Sequence, residues 1–319
     1  MPAPKIFIDG HVGTTGLRIR DLLAARQDVT LVEIPVAQRK DPAARRAHLN
    51  EADIVVLCLP DAAAHDAVGM IQTPQVRVVD ASSAHRVAEG WDYGMPELDS
   101  AQRQRIMSSR RVTVPGCYPT TVILGLRPLL DAHILRPDTP ITVHALSGYT
   151  GGGRTMIERW ESPETGLLGI PFEAPYALDR IHKHIPEMLC FTRLTHPPQF
   201  VPAVGPFPTG MRVEVPLHVS TLAHGTTGHS VWEVLRDRYA HEPFVQVAPF
   251  REAVDGDEHT FDPRRCNGTN RIELHVIANP AGHVLLIGLL DNLGKGAAGA
   301  ALQNLNLLLG VPENTGLIT

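Results

Sequence analysis

The first sixteen residues constrain the fold more tightly than any other stretch. Lys5-Ile6-Phe7-Ile8-Asp9 is a short apolar run of the kind a buried strand uses, and it feeds straight into Gly10-His11-Val12-Gly13-Thr14-Thr15-Gly16. A helical pattern carrying Leu17, Ile19, Leu22 and Leu23 follows. Strand, glycine turn and helix together open a βαβ unit, which points to a parallel sheet with helices on its faces. Glycine at such a turn lets the backbone fold tightly and approach a pyrophosphate at the helix N-terminus. Gly10, Gly13, Thr14, Thr15 and Gly16 are therefore candidate dinucleotide ligands. The spacing is G-x-x-G-x-x-G rather than the commoner G-x-G-x-x-G, so an ordinary βα turn remains the alternative. The absence of a following Gly-Lys-Ser/Thr excludes a P-loop.

The same alternation continues through the first 115 residues. Strands are expected at Thr30 to Ile34, Asp53 to Leu59, Val76 to Val79 and Arg111 to Val114, with helical segments between them and a loop at Trp91 to Leu98. This pattern gives an α/β fold with a doubly wound, Rossmann-type dinucleotide domain. Glu33 lies where a ribose-binding carboxylate would stand, roughly twenty residues beyond the glycine turn. Arg39 and Lys40 follow closely and would suit a 2′-phosphate, which favours NADP; a solvated charged loop is the other reading. Ligands of open parallel sheets bind beyond the carboxyl ends of the strands, and Pro60, Ser82 and Ser83 fall there. Turn chemistry would place the same residue types at these positions.

Val114-Pro115-Gly116-Cys117-Tyr118-Pro119-Thr120-Thr121 ends a strand, turns sharply and opens an apolar helix. A cysteine at a helix N-terminus meets the positive end of the dipole, which stabilises the nucleophilic thiolate. A small buried hydrophobe is the alternative role for Cys117. After this helix the alternation gives way to strands at Ile141 to Leu146, Arg212 to Thr221, Val245 to Val247, Arg271 to Ala278 and His283 to Leu290, with a loop at Phe200 to Met211. These make an α+β catalytic domain with a mixed or antiparallel sheet. Ser147-Gly148 and the run Gly151 to Arg154 form a loop whose backbone N–H groups could face an anion. Arg180-Ile181-His182-Lys183-His184-Ile185-Pro186-Glu187 concentrates ionisable groups, and histidine is the usual acid/base near neutral pH. No HExxH motif or third ligand accompanies His184 and Glu187, so no metal is expected. Asp255 to His259 is an acidic turn without calcium-loop spacing. Asp291 to Gly296 then opens a helix, Ala297 to Leu309, which is expected to return to the first domain. The domain boundaries are placed at 1–116 with 292–319 for the dinucleotide domain and 117–291 for the catalytic domain, which would also carry oligomerisation.

A chain of 319 residues with a net charge of −5 gives no general electrostatic reason to bind nucleic acid or a membrane. Its four cysteines form no CxxC pair, which argues against a zinc site or a disulfide framework. The N-terminus runs straight into a strand with no signal peptide, and the expected location is the cytoplasm. Asn267-Gly268-Thr269 fits a glycosylation sequon that has no meaning there.

Taken in order, these motifs resemble the short form of the N-acetyl-γ-glutamyl-phosphate reductase family, within the aspartate-semialdehyde dehydrogenase superfamily. The resemblance rests on the Gly10 to Gly16 turn, Asp80-Ala81-Ser82-Ser83 with Arg86, Tyr93-Gly94-Met95-Pro96-Glu97-Leu98, Pro115-Gly116-Cys117-Tyr118-Pro119-Thr120, Ser147-Gly148 with Gly151 to Arg154, His182 to Glu187, and Asp291 to Ala297. It implies a cytoplasmic arginine-pathway enzyme that uses NADP and acts on an acyl phosphate, as a homo-oligomer (dimer or tetramer). It implies Cys117 as nucleophile and His184 as acid/base, with His182 a lesser candidate. Asn292 would sit near the nicotinamide, and Ser147, Gly148 and Arg154 would lie on the substrate side. The rivals are reductases of aspartyl or aminoadipyl phosphate, and a non-catalytic NADP sensor. The sensor would need neither Cys117 nor His184.

Overall fold

The computed structural model describes residues 2–179, 181–252 and 258–319. The acidic turn expected from Asp255 falls largely outside the described residues, as does Arg180. The chain divides into two units: Met1–Pro115 with Ala297–Leu317, and Gly116–Gly296 with Ile318–Thr319.

In the first unit, β1 (Lys5–Asp9), α1 (Thr14–Ala24), β2 (Thr30–Val32), α2 (Pro42–Glu51), β3 (Ile54–Leu57), α3 (Asp61–Met70) and β4 (Arg77–Asp80) alternate as their apolar periods require. β5 (Asp92–Tyr93), α4 (Gln102–Ser108) and β6 (Arg111–Thr113) complete the N-terminal part. The stretch expected as a loop at Trp91 to Leu98 thus contributes a two-residue strand, paired parallel to β6. All six strands are parallel in the order β2-β1-β3-β4-β6-β5. The strand order reverses between β1 and β3, and ligands of doubly wound sheets bind outside the carboxyl ends at such a switch point. β1 is buried on both faces. Ile6 and Ile8 join one apolar cluster with Ile19 and Leu23 of α1. Phe7 joins the other with Leu49 of α2 and Ala64 and Ala67 of α3.

The second unit opens on α5 (Cys117–Asp131), then β7 (Thr142–Gly148), α6 (Gly153–Glu161), β8 (Ala174–Pro175), α7 (Ile185–Thr192), β9 (Gln199–Gly205) and β10 (Met211–Leu217). It continues with α8 (Gly228–Tyr239), β11 (Val245–Val247), β12 (Arg251–Glu252), β13 (Ile272–Ala278) and β14 (Val284–Leu290). Its mixed sheet runs β11-β13-β14-β10-β7-β9-β8, with β12 beside β13. α5 packs on β10, β13 and β14 and against α7 and α8.

Three expectations are corrected here. The Pro-rich loop at Phe200 to Met211 is in its first part β9, paired parallel to β7 over seven residues. Its Phe200, Ala203 and Val204 are buried. Proline is tolerated near sheet edges, and only the two-residue β8 lies beyond Pro202. The glycine loop ends in α6, which begins at Gly153. The strand from Arg212 stops at Leu217, and Val219–Thr221 form a 3₁₀ turn. The last helix, α9 (Gly299–Leu309), groups with the first unit and follows a π-helical turn at Gly294–Ala298. Ala301, Leu302 and Leu305 of α9 fill the cluster that holds Ile6 and Ile8.

Candidate active site

Cys117 is the first residue of α5, and Gly116 is its N-cap with extended backbone. No side chain caps this end. The first-turn N–H groups point toward the thiol's side of the helix, where they favour negative charge. The peptide just before the cysteine is held by α7. The Gly116 N–H donates to Oε2 of Glu187 at 3.0 Å, and Glu187 is only 1% exposed. The loop after β14 also closes on the cysteine: a Cβ built on Gly296 would stand 2.8 Å from Cys117 Cβ. Glycine is required there by close approach.

His184 is the N-cap residue of α7 and is buried. Its ring lies 5.8 Å from that of Tyr118 and 4.7 Å from that of His182. Ser147, at the end of β7, is buried and donates to the Gly148 carbonyl at 3.0 Å. Burial, Tyr176 and Cys117 push the Tyr118 phenol well above its ordinary range, with Ser147 bonding to its oxygen in the opposite sense. Burial does the same to Tyr176, with Cys117 adding to it. Cys117, Tyr118, Ser147, Tyr176, His182, His184 and Glu187 thus form one cluster in the second unit.

The glycine loop after β7 behaves differently from its sequence reading. The N–H groups of Gly148, Tyr149 and Thr150 donate to the carbonyls of Gly210, Phe207 and Pro208, so they are committed to the protein's own backbone. Arg154 is 82% exposed in its side chain and pairs with Glu158 across one helical turn. Asn292 is buried; its Oδ1 accepts from the Gly210 N–H at 2.8 Å and its Nδ2 donates to Thr150 at 3.3 Å. It anchors the loop between β9 and β10.

In the first unit, the turn after β1 nests against the end of β3. Gly10 has a φ of +92°, and a Cβ there would stand 2.3 Å from the Cys58 carbonyl oxygen. A Cβ on Gly16 would meet the Gly10 carbonyl at 2.4 Å. Gly13 is the N-cap of α1, and Thr14 and Thr15 open the helix with no acidic residue in its first turn. A cleft of about 360 Å³ beside this turn is lined by Asp9, Gly10, Arg39, Lys40 and Arg45, among others. Arg39 and Lys40 are exposed there, while Arg45 is bound to the buried Asp9 at 2.7 Å. Glu33, the alternative ribose ligand, instead pairs with Arg20 at 2.7 Å and does not line the cleft. A bare-backbone turn at a helix N-terminus beside two cations fits a dinucleotide phosphate. Pro60 is the N-cap of α3. Ser82 and Ser83 stand beyond β4, where their hydroxyls donate to Asp80 and Asp61 respectively. Among the described residues, no group of three His, Cys, Asp or Glu side chains could hold a metal ion.

Residues 5–106 match the family described as semialdehyde dehydrogenase, NAD binding domain, and residues 117–292 match semialdehyde dehydrogenase, dimerisation domain. A protein of Burkholderia cenocepacia named N-acetyl-gamma-glutamyl-phosphate reductase is 48% identical over 97% of this chain and 98% of its own length. One of Pseudomonas putida, named N-acetyl-gamma-glutamyl-phosphate reductase 2, is 46% identical over 99% of this chain and the whole of its own. The chain belongs to the N-acetyl-γ-glutamyl-phosphate reductase family. Solved structures extend the likeness at the level of fold. Aspartate semialdehyde dehydrogenase II of Vibrio cholerae aligns with a TM-score of 0.69 at 16% identity, covering 97% of this chain and 99% of that one. The aspartate semialdehyde dehydrogenase of Candida albicans, solved with NADP, aligns at 0.66 and 14%, covering 98% and 100%.

Within this reductase fold, several residues carry the site without a sequence signal. Tyr176 sits in an unremarkable loop, and its hydroxyl contacts with Tyr118 and His182 place it. Glu187 stands in the sequence as part of a charged cluster, yet it works as a backbone clamp on Gly116. Truncating that clamp leaves a buried N–H unsatisfied, so Glu187→Ala should cost about 1–3 kcal/mol of stability. It should also lower kcat by loosening the turn that carries Cys117. Urea denaturation and steady-state assays check both; an unchanged midpoint and rate would show the clamp to be idle.

Proposed function

We propose that this protein catalyses the reductive dephosphorylation of N-acetyl-γ-glutamyl phosphate to N-acetylglutamate semialdehyde, with NADPH as reductant, in arginine biosynthesis. The observation that carries this reading is Cys117 at the first position of α5, clamped by Glu187, in a chain 45–48% identical to named reductases along nearly its whole length.

The Cys117 thiolate attacks the carbonyl carbon of the acyl phosphate, a mixed anhydride. The first-turn N–H groups of α5 stabilise the tetrahedral oxyanion, and collapse expels inorganic phosphate to leave a thioester on Cys117. Residues Gly10, Gly13, Thr14, Thr15 and Gly16 hold the dinucleotide, with Arg39 and Lys40 on its 2′-phosphate, Pro60, Ser82 and Ser83 along its path and Asn292 toward the nicotinamide. When bound, the reduced nicotinamide supplies hydride to the thioester carbon. His184 takes the proton from the thiol before attack and returns one to the oxygen as the thiohemiacetal forms. His184 takes that hydroxyl proton back as the C–S bond breaks, and the thiolate leaves the aldehyde. Ser147 and Gly148 line the substrate side. Arg154 joins them once it exchanges Glu158 for a substrate anion. Residues 1–116 with 292–319 serve the dinucleotide, and 117–291 serve substrate and self-association as a dimer or tetramer. The described residues contain no helix long and apolar enough to cross a membrane, and the cytoplasm is the proposed location.

The assay that tests this follows phosphate-dependent reduction of NADP, comparing N-acetylglutamate semialdehyde with aspartate semialdehyde and the acetylated aminoadipate analogue. The first is expected to lead in kcat/KM; a pocket sets apart one methylene by about 1–3 kcal/mol. Preference for either rival would reassign the substrate. Turnover of none, with NADPH still bound, would favour a sensor.

The cofactor preference has its own test. Removing both cations in Arg39→Ala/Lys40→Ala should raise KM for NADPH about 10- to 100-fold with little change in kcat or in the NADH values, as expected when uniform charge-assisted binding is lost. Equal losses with both cofactors would place the 2′-phosphate elsewhere.

A further inference from the structure

Two histidines pack against Tyr118, the residue after Cys117, with ring centroids 6.0 and 5.8 Å away. The Nδ1 of His182 accepts the backbone N–H of His184 at 3.2 Å. An accepting Nδ1 carries no proton, so the neutral ring must carry its proton on Nε2. That Nε2 lies 3.4 Å from the Tyr176 hydroxyl. The Tyr176 oxygen accepts from that Nε2–H, and the Tyr176 and Tyr118 hydroxyls share a hydrogen bond at 3.1 Å. Ser147 borders the Tyr118 hydroxyl and donates to the Gly148 carbonyl at 3.0 Å. The contacts run in one line: the His184 N–H donates to His182, His182 donates to Tyr176, and Tyr176 is bonded to Tyr118. Phe200 walls the chain, edge-on to both Tyr118 and His182. Hydrogen bonds linked in a chain polarise one another in a buried site. Burial raises both phenols, so they stay protonated near neutral pH and the chain stays intact.

We propose that His182 is a positioning residue: a hydrogen-bond chain through Tyr176 to Tyr118, the residue next to Cys117, fixes its ring as a donor and leaves acid/base work to His184. This rests on the reading of Cys117 and His184 given above. It separates two histidines that neighbour each other in sequence and ring contact but differ in chemistry. His182 has both nitrogens engaged in holding structure, and Tyr176 becomes a determinant of activity with no signal in the sequence.

Three measurements test the chain. Imidazole ¹⁵N NMR of the full-length protein reads the tautomer without any substrate. His182 should show a protonated Nε2 and an unprotonated Nδ1, and the opposite tautomer would overturn the proposal even if the substrate has been assigned wrongly. The second measurement is kinetic, on Tyr176→Phe and His182→Asn beside the wild type. Each should lower kcat about tenfold while the acid limb of the pH profile stays at the wild-type midpoint, because the essential base is untouched. Loss of that limb in His182→Asn would make His182 the base, and kcat within twofold of wild type in both variants would make the chain idle. The third is the double variant. Residues acting through one chain are non-additive, so it should be no slower than the worse single variant; multiplied losses would mean independent roles.

Discussion

Cys117→Ser should fold, bind NADPH with unchanged affinity and lose turnover by at least about a thousandfold. A serine hydroxyl at the same helix start is far from ionisation at neutral pH, and its ester would be a poorer hydride acceptor than a thioester. The substitution removes little volume, so stability should move by less than about 1 kcal/mol. Near-ultraviolet circular dichroism and NADPH fluorescence check the fold and binding, and steady-state rates check the chemistry. A rate within tenfold of wild type would contradict covalent catalysis. The other three cysteines provide the control. Burial, with Asp80 and Asp9 nearby, pushes the Cys58 thiol up to about 12. Burial also raises Cys190, and burial with Glu273 raises Cys266. These thiols stay protonated at pH 7.5, so limiting iodoacetamide should label Cys117 first and extinguish activity with that single modification.

The second large effect is expected at His184. His184→Asn removes the proposed acid/base, and general acid–base steps of this kind contribute about 10²- to 10⁴-fold. The fall should be in kcat rather than in the KM for phosphate or NADP. The acid limb of the pH–rate profile should disappear with it, because a neutral amide does not titrate in that range. A His184→Asn enzyme that kept the limb and most of its rate would move the acid/base role elsewhere. His184 is the N-cap residue of α7 without a capping side-chain bond, so its loss should not unfold that helix.

Much of the first unit was legible because its information is local. An apolar run ending in Gly10-His11-Val12-Gly13 can only be a strand and a tight turn, and the switch point follows from the order of such units. The second unit was less legible for physical reasons. Pro202 disguised β9 as a loop, because tolerance of proline depends on what lies beyond the strand. The glycines after Ser147 looked like an anion-binding loop, yet the N–H groups of Gly148, Tyr149 and Thr150 are taken by a segment some sixty residues later in the chain, which no local pattern announces. At the site, chemistry-bearing residue types were visible but their partners were not. Glu187 on Gly116, Tyr176 on Tyr118 and Gly296 against Cys117 are all contacts across long sequence separations. They exist only once the sheet has brought α5, α7 and the loop after β14 together.

The most direct test of the central claim is a single-turnover experiment without phosphate. Enzyme mixed with N-acetylglutamate semialdehyde and NADP should oxidise the thiohemiacetal to the thioester and then stop, because the acceptor that releases the acyl group is missing. The account predicts a burst of NADPH equal to one per active site, an N-acetylglutamyl group on the peptide that contains Cys117, and resumed turnover when phosphate is added. Steady NADPH formation without phosphate, or a burst with no acyl group on Cys117, would contradict it.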